Sequence, residues 1–435
     1  MIGAASAPAR GTPENGRTPF PPPPLRVPVV ALLVLVSLLF AWTLVSDRMA
    51  RWSITGPIAF ALAGVILTRG ADPVVPLNLE THAFERAVEL VLAVVLFTDA
   101  TEARGYEPMG RSIGQGRLLS LALPASVALA VLVGAALFPD RGWWLLAVAA
   151  LVVMPMDLAP TLMFLRDERV PARVRNALNV EGGYNDGLIS PLFTFCVANL
   201  VSVKGGSFTE LVLNALRGAA YAILAGTVLG VLTAQLARRA LDAGWTGRAG
   251  LRLATVALPF LAYAASVLAG GNGFVAAFVT GVWYARTVRV IGHDILELVH
   301  DESHVLALAV WFTFGKLAAD EFSNGVGLRS VGFALLALTV ARFLPVIAAL
   351  IGTEFSPPER QAIGWLGPRG VTSIVFALLA YAQIPEHEGT FVLNVMCTTV
   401  LLSVILHGIT LEPIARWFQR HPQPQAGPAS AGPAR

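Results

Sequence analysis

Eight ionisable side chains stand inside long apolar runs: Asp99, Glu102, Asp157, Glu181, Asp186, Lys316, Arg342 and Arg369. A charge at bilayer depth costs several kcal/mol unless it faces a partner or a cavity, so each is a candidate for function. The densest set is Glu181-Gly182-Gly183-Tyr184-Asn185-Asp186-Gly187. On a helix Glu181 and Asn185 share a face, and Asp186 stands one turn beyond Gly182 and Gly183, where missing side chains let another backbone come close. Carboxylate oxygens beside free backbone carbonyls form a hard oxygen site suited to an alkali cation, and neither Cys nor His stands near it. A carboxylate partly removed from water can hold either a proton or a cation near neutral pH, and that competition is enough to build an exchanger.

Two of the apolar runs carry helix breakers at their centres. One reads Met154-Pro155-Met156-Asp157-Leu158-Ala159-Pro160 and the other Gly364-Trp365-Leu366-Gly367-Pro368-Arg369-Gly370. Proline removes a backbone donor and clashes with the carbonyl one turn back. Unwound backbone at this depth survives only where it is buried in protein or lines a cavity, so the breaks point to an ion site rather than to ordinary proline kinks.

The elements that must position these residues are membrane helices. Of 435 residues, 55% are hydrophobic and 14% charged, which excludes a water-facing domain and makes a soluble enzyme or a nucleic-acid binder untenable. About thirteen apolar segments reach spanning length, roughly 17 to 25 residues each. The third covers 84–103, the fifth 143–165, the sixth 175–201, the tenth 303–320, the eleventh 328–352 and the twelfth 359–383. The broken segments are the fifth and twelfth, seven apart, as expected of two inverted six-helix repeats around a linker segment. The expected fold is therefore an all-α polytopic membrane domain over 27–417 with crossing broken helices. The Pro-, Gly- and Ala-rich stretches 1–26 and 418–435 read as disordered tails.

Loops after odd-numbered segments, with the C-terminal tail, hold nineteen of the 31 Lys and Arg, against nine on the other side. Basic residues stay on the cytoplasmic face, so the C-terminus is expected inside the plasma (inner) membrane and the N-terminus outside. Cys196 and Cys397 lie within apolar runs and imply neither a disulfide framework nor a zinc site.

Taken together, the stretch Asn176 to Leu192, Gly271 to Phe278, Trp311 to Gly315, Arg342 to Val346 and Gly364 to Gly370 resemble bacterial sodium/proton antiporters of the monovalent cation/proton antiporter family. The resemblance runs from about residue 29 to 417. It implies a thirteen-helix inverted-repeat fold, a homodimer in the lipid bilayer, and alternating access by a core domain moving against a dimerisation domain. It also implies roles by position. Asp186 would carry the transported alkali cation or the proton, with Asp157 and Asn185 beside it. Glu181 would pair with an arginine from the eleventh or twelfth segment, and the expected bridge is to Arg342 with Arg369 near enough to share it. An Asn-Asp pair, rather than Asp-Asp, resembles the electroneutral branch. Asp99 aligns with an acidic position that approaches the ion in some relatives.

Two positions depart from the family. Met156 stands where a Thr usually precedes the aspartate, and Gly182 where a Ser usually follows the glutamate, so two hydroxyl ligands are missing. Thr161 is the nearest candidate to compensate. Pro155, Pro160 and Pro368 shape the site together with Met156 and Gly182. The expected partners are a proton and Na+, Li+ or K+, with no cofactor and no nucleic acid.

Blander readings attach to other residues. Lys316 is expected to snorkel to the outer interface, near Asp320 and Glu321. His300-Asp301-Glu302-Ser303-His304 lacks the zinc-protease order and is expected to be a solvated cap at the start of the tenth segment. Two other function classes use similar residues. A cation channel needs an open pore instead of one titratable carrier. An intramembrane aspartyl protease needs Tyr-Asp and Gly-x-Gly-Asp contexts, which Tyr184-Asn185-Asp186 does not offer.

Overall fold

The computed structural model describes residues 26–52, 54–70, 73–102, 112–158, 162–165, 167–201, 208–288, 290–323 and 325–421. Pro160, Thr161 and most of the two expected tails lie outside this set. Among the described residues every regular element is helical.

The order is α1 (Arg26–Ala50), α2 (Gly56–Leu67), α3 (His82–Glu102), α4 (Ile113–Leu137), a fifth segment split into α5a (Trp143–Val153) and α5b (Leu162–Leu165), and α6 (Ala172–Val201). Then follow α7 (Phe208–Asp242), α8 (Arg248–Leu268), α9 (Gly273–Val288), α10 (Glu297–Ser323), α11 (Leu328–Leu350), a twelfth segment split into α12a (Pro357–Trp365) and α12b (Val371–Gln383), and α13 (Glu386–Arg420). These helices fall on the thirteen apolar runs. The chain is an all-α polytopic membrane protein.

Among the described residues six helices, α1, α4, α7, α8, α11 and α13, are long and apolar enough to cross a bilayer on length and composition alone. The helices α3, α6 and α10 are as long but more polar, because they carry the site. Several helices outrun their apolar runs. Helix α4 begins at Ile113, ahead of the apolar run that follows Arg117, α10 begins at Glu297 rather than 303, and α13 continues to Arg420, into the stretch expected to be a tail. The cause is the same each time: polar turns keep helical hydrogen bonding past the apolar core, whereas hydropathy marks only the part that needs lipid or protein around it.

Close helix contacts rest on small residues. A Cβ at Gly64 of α2 would run into the Phe312 carbonyl of α10, and one at Gly315 of α10 into the Ala61 carbonyl of α2. These two helices therefore touch backbone to backbone. The site lies between α3, α6, α10, α12b and the break of the fifth segment, and aromatic contacts fix α6 against its neighbours. Phe193 of α6 packs on Phe376 of α12b with ring centroids 4.7 Å apart, and Tyr184 meets Phe278 of α9 edge-on at 5.7 Å.

Candidate functional site

The two breaks cross, and each satisfies backbone groups that the other leaves open. The Asp157 N–H donates to the Pro368 carbonyl at 2.8 Å. In return, Arg369 Nη1 donates to the Pro155 carbonyl at 3.2 Å. The Asp157 carboxylate accepts the Val371 N–H at 2.7 Å, placing negative charge at the N-terminus of α12b, where the helix dipole favours it. Gly370 is required by this arrangement: a Cβ there would stand 3.0 Å from Asp157 Cγ and collide with Oδ2.

The sixth segment brings its polar face to this crossing. Asn185 Nδ2 donates to the Met156 carbonyl at 3.0 Å, using one of the acceptors freed by the α5 break. Thr372 Oγ1 donates to Asp186 Oδ2 at 2.5 Å. The other Asp186 oxygen, Oδ1, is buried and has no hydrogen-bond partner, and neither has Asn185 Oδ1. Buried oxygens of this kind are rare unless water, a proton or an ion completes them.

A cavity of about 150 Å³ lies against these groups, lined by Asp99, Asp157, Asp186, Gly182, Gly183 and Thr372 among others. It has room for several water-sized occupants. Glu102, His300, Ser303 and His304 line it as well, and the Glu102 side chain is 54% exposed, so this end meets solvent. The histidine run is solvent-facing, with Asp301 and His304 exposed, but it lies inside α10 and forms part of the cavity wall rather than capping the helix. The early start of α10 puts His300, Ser303 and His304 one turn apart on a helix wall. His300 Nε2 lies 2.8 Å from Thr101 Oγ1, and Thr98 Oγ1 donates to Ser303 Oγ at 3.0 Å.

Glu181 and Arg342 form a buried, two-pronged ion pair at 2.6 and 3.1 Å. Arg342 Nη2 also lies 3.3 Å from the Met156 sulfur and from the carbonyls of Ile363 and Leu366. Arg369 is fully buried but does not join this pair: its hydrogen bonds go to Pro155 and, from the backbone N–H, to Ser403 Oγ at 2.8 Å. Its Nε and Nη2 have no hydrogen-bond partner. The Glu181 carboxylate, lying 2.6 Å from Arg342, is thus hydrogen-bonded to Arg342 and not shared with Arg369. Lys316 is held by Asp320 at 2.6 Å.

The transmembrane family of sodium/hydrogen exchangers matches residues 17–417. The chain belongs to the sodium/hydrogen exchanger family. Among the chain's relatives, a K(+)/H(+) antiporter NhaP of Alkalimonas amylolytica is 27% identical over 62% of this chain and 46% of its own length. A K(+)/H(+) antiporter NhaP2 of Shewanella sp. strain MR-4 is 23% identical over 67% of this chain and 50% of its own length. A Na(+)/H(+) antiporter of Schizosaccharomyces pombe is 26% identical over 58% and 59%. The chain spans about half the length of the curated relatives it matches. The solved sodium proton antiporter MjNhaP1 of Methanocaldococcus jannaschii at pH 8 superposes with a TM-score of 0.67 at 18% identity, covering 88% of this chain and 99% of that one. At that identity the likeness speaks for the fold.

Several residues that touch or support this site escape a reading by charge and proline. Thr372, the hydroxyl donor to Asp186, is one. Ser403 and His407 of α13, which touch the α12 break, are others. Glu359, fully buried, pairs with Arg173 at the start of α6 and closes a capping box with Ser356 at the start of α12a. That last signal, Ser-x-x-Glu before a helix, is readable from the sequence.

Proposed function

We propose that the protein exchanges a monovalent cation for a proton across the plasma membrane by alternating access, one for one. The observation that carries this reading is the buried Asp186 Oδ1, which has no hydrogen-bond partner and belongs to the wall of a cavity with room for several waters beside Asp157. Glu181 is neutralised by Arg342 and Asn185 carries no charge, which leaves Asp186 as the group that changes partner in a cycle. Asp99, on the same cavity wall, is placed to share the cation as it enters. The cavity end at Glu102 and His300 faces the cytoplasm if the arginine-rich loops do, with the C-terminus on that side. A second copy of the chain is the expected partner within the bilayer. The faces of α1 and α7 supply apolar surface for it and for lipid, with Leu32, Phe40, Leu216 and Leu224 all exposed.

The test is purified protein in liposomes, with internal pH followed as sodium, lithium or potassium is added outside. Saturable proton movement that depends on the opposing gradient is expected. Because one positive charge replaces another, an imposed membrane potential should leave the exchange equilibrium where it was. A shift with voltage refutes the one-for-one count, and conduction without saturation favours a channel.

Cation choice follows from what the site lacks. Sodium and lithium need close, strong oxygen ligands to replace their hydration, whereas potassium accepts a looser cage. The Met156 thioether is a poor ligand for any hard cation and Gly182 offers no side chain, so weak sodium affinity with potassium exchange is expected. Two of the relatives above are named as potassium antiporters. Met156→Thr with Gly182→Ser is expected to lower the half-saturating sodium concentration. A Cβ at 182 would stand 2.8 Å from Leu158 Cδ1, the far end of a flexible side chain that can move. An unchanged half-saturating concentration in a folded, active double variant would show that neither position touches the ion.

A further inference from the structure

We propose that His407, together with Ser403, is a positioning residue: from α13 it clamps the unwound stretch of α12 and so sets the cation affinity of the carboxylate site. The inference rests on the exchange reading above, but its first observation is purely geometric.

Where α12a ends at Trp365 and α12b begins at Val371, the intervening backbone has lost its helical partners. Two groups of this gap are met by one face of α13. The Arg369 N–H donates to Ser403 Oγ at 2.8 Å. One turn further along α13, His407 Nε2 lies 3.0 Å from the Trp365 carbonyl and 3.4 Å from the Gly367 N–H. Its Nδ1 lies 2.8 Å from the Ser403 carbonyl and 3.2 Å from Ser403 Oγ.

A neutral imidazole has one N–H, and either tautomer grips the gap. With the proton on Nε2 the ring donates to Trp365 and accepts from the Ser403 hydroxyl, whose oxygen still accepts from Arg369. With the proton on Nδ1 it donates to the Ser403 carbonyl and accepts from Gly367. In both cases α13 holds backbone on the α12a side through His407 and on the α12b side through Ser403. Both side chains are buried, at 3% and 0% exposure, so water does not compete.

The clamped backbone is the part of α12 that forms the ion site. Pro368 accepts from the Asp157 N–H, Val371 donates to the Asp157 carboxylate, and Thr372 donates to Asp186. Arg369, between them, sends its guanidinium to Pro155 across the crossing. Loosening the gap therefore displaces ligands of both carboxylates while leaving the carboxylates themselves untouched. That predicts an effect on affinity more than on turnover.

The experiment uses the full chain in liposomes. Ser403→Ala deletes a single oxygen. His407→Leu fills similar space without hydrogen bonding, and His407→Gln restores one donor and one acceptor. In Ser403→Ala and His407→Leu the half-saturating cation concentration is expected to rise about tenfold, the usual cost of a lost buried hydrogen bond. The maximal rate should stay within about twofold, and His407→Gln should recover most of the loss. In detergent, hydrogen exchange of the amides between 367 and 371 is expected to accelerate in Ser403→Ala. Unchanged half-saturation in both variants, or a fall in maximal rate alone, overturns the positioning role. Unaltered amide exchange in Ser403→Ala refutes the clamp whatever transport does. Wild-type liposomes that exchange nothing refute the transport reading and, with it, the affinity role, leaving the clamp to the amide measurement.

Discussion

Asp186→Asn is expected to abolish exchange while leaving the protein folded. The substituted amide still presents an oxygen to the Thr372 hydroxyl, which donates to Asp186 Oδ2 at 2.5 Å in the parent, so the contact that locks α6 to α12b can persist. What disappears is the titratable charge. The free oxygen of Asp186 can no longer take up a proton when the cation leaves, nor neutralise the cation when the proton leaves. Proton flux driven by sodium, lithium or potassium should fall to the level of empty liposomes, while the melting temperature stays near that of the parent. Asp157→Asn is the informative companion. Its N–H bond to Pro368 remains, but the charge at the mouth of α12b is lost, and with it several kcal/mol of attraction for a desolvated cation at low effective dielectric. A raised half-saturating cation concentration or complete loss is expected there. Wild-type rates from Asp186→Asn would end the single-carrier mechanism.

Much of this architecture was legible because charge and proline are conspicuous in apolar sequence. Pro155 and Pro368 mark the two breaks, and Glu181, Asn185 and Asp186 fall on one side of one helix by spacing alone. What was hidden is of two kinds. Thr372, Ser403 and His407 are neutral polar residues within apolar helices, and such residues ordinarily bond to the carbonyl one turn back. Nothing in spacing tells that Ser403 instead receives the Arg369 N–H. The second kind is sharing between neighbours. Arg342 and Arg369 are both buried cations near a break, and spacing does not say whether Glu181 is shared between them or, as found, hydrogen-bonded to Arg342 alone. The histidines of α10 differ for a simpler reason: the helix begins at Glu297, ahead of the apolar run expected from 303, so residues expected to cap it form part of a cavity wall.

Glu181→Gln is expected to lower thermal stability more than Asp186→Asn does, although it stands five residues away on the same helix. The difference lies in what each carboxylate holds. Asp186 meets one hydroxyl and a cavity, whereas Glu181 meets a guanidinium that is 3% exposed. Arg342 spans three elements: it reaches Glu181 on α6 with both terminal nitrogens, and the Ile363 and Leu366 carbonyls at the frayed end of α12a. Gly367 leaves room for it, since a Cβ there would collide with Arg342 Nε. Removing one member of a buried pair leaves the other charge without compensation, typically about 3 to 5 kcal/mol. Glutamine keeps an acceptor for one prong but no charge, so most of that cost remains. The reverse deletion, Arg342→Met, should be at least as harmful, because it strands the carboxylate and also frees two carbonyls. Combining Glu181→Leu with Arg342→Met removes both charges, and the pair is expected to melt above either single variant, since a buried pair and its apolar replacement are often close in stability. Equal melting temperatures for Glu181→Gln and Asp186→Asn would count against a structural pair. A double variant no better than its parts would show that Arg342 acts mainly through the α12a carbonyls, with Glu181 a bystander.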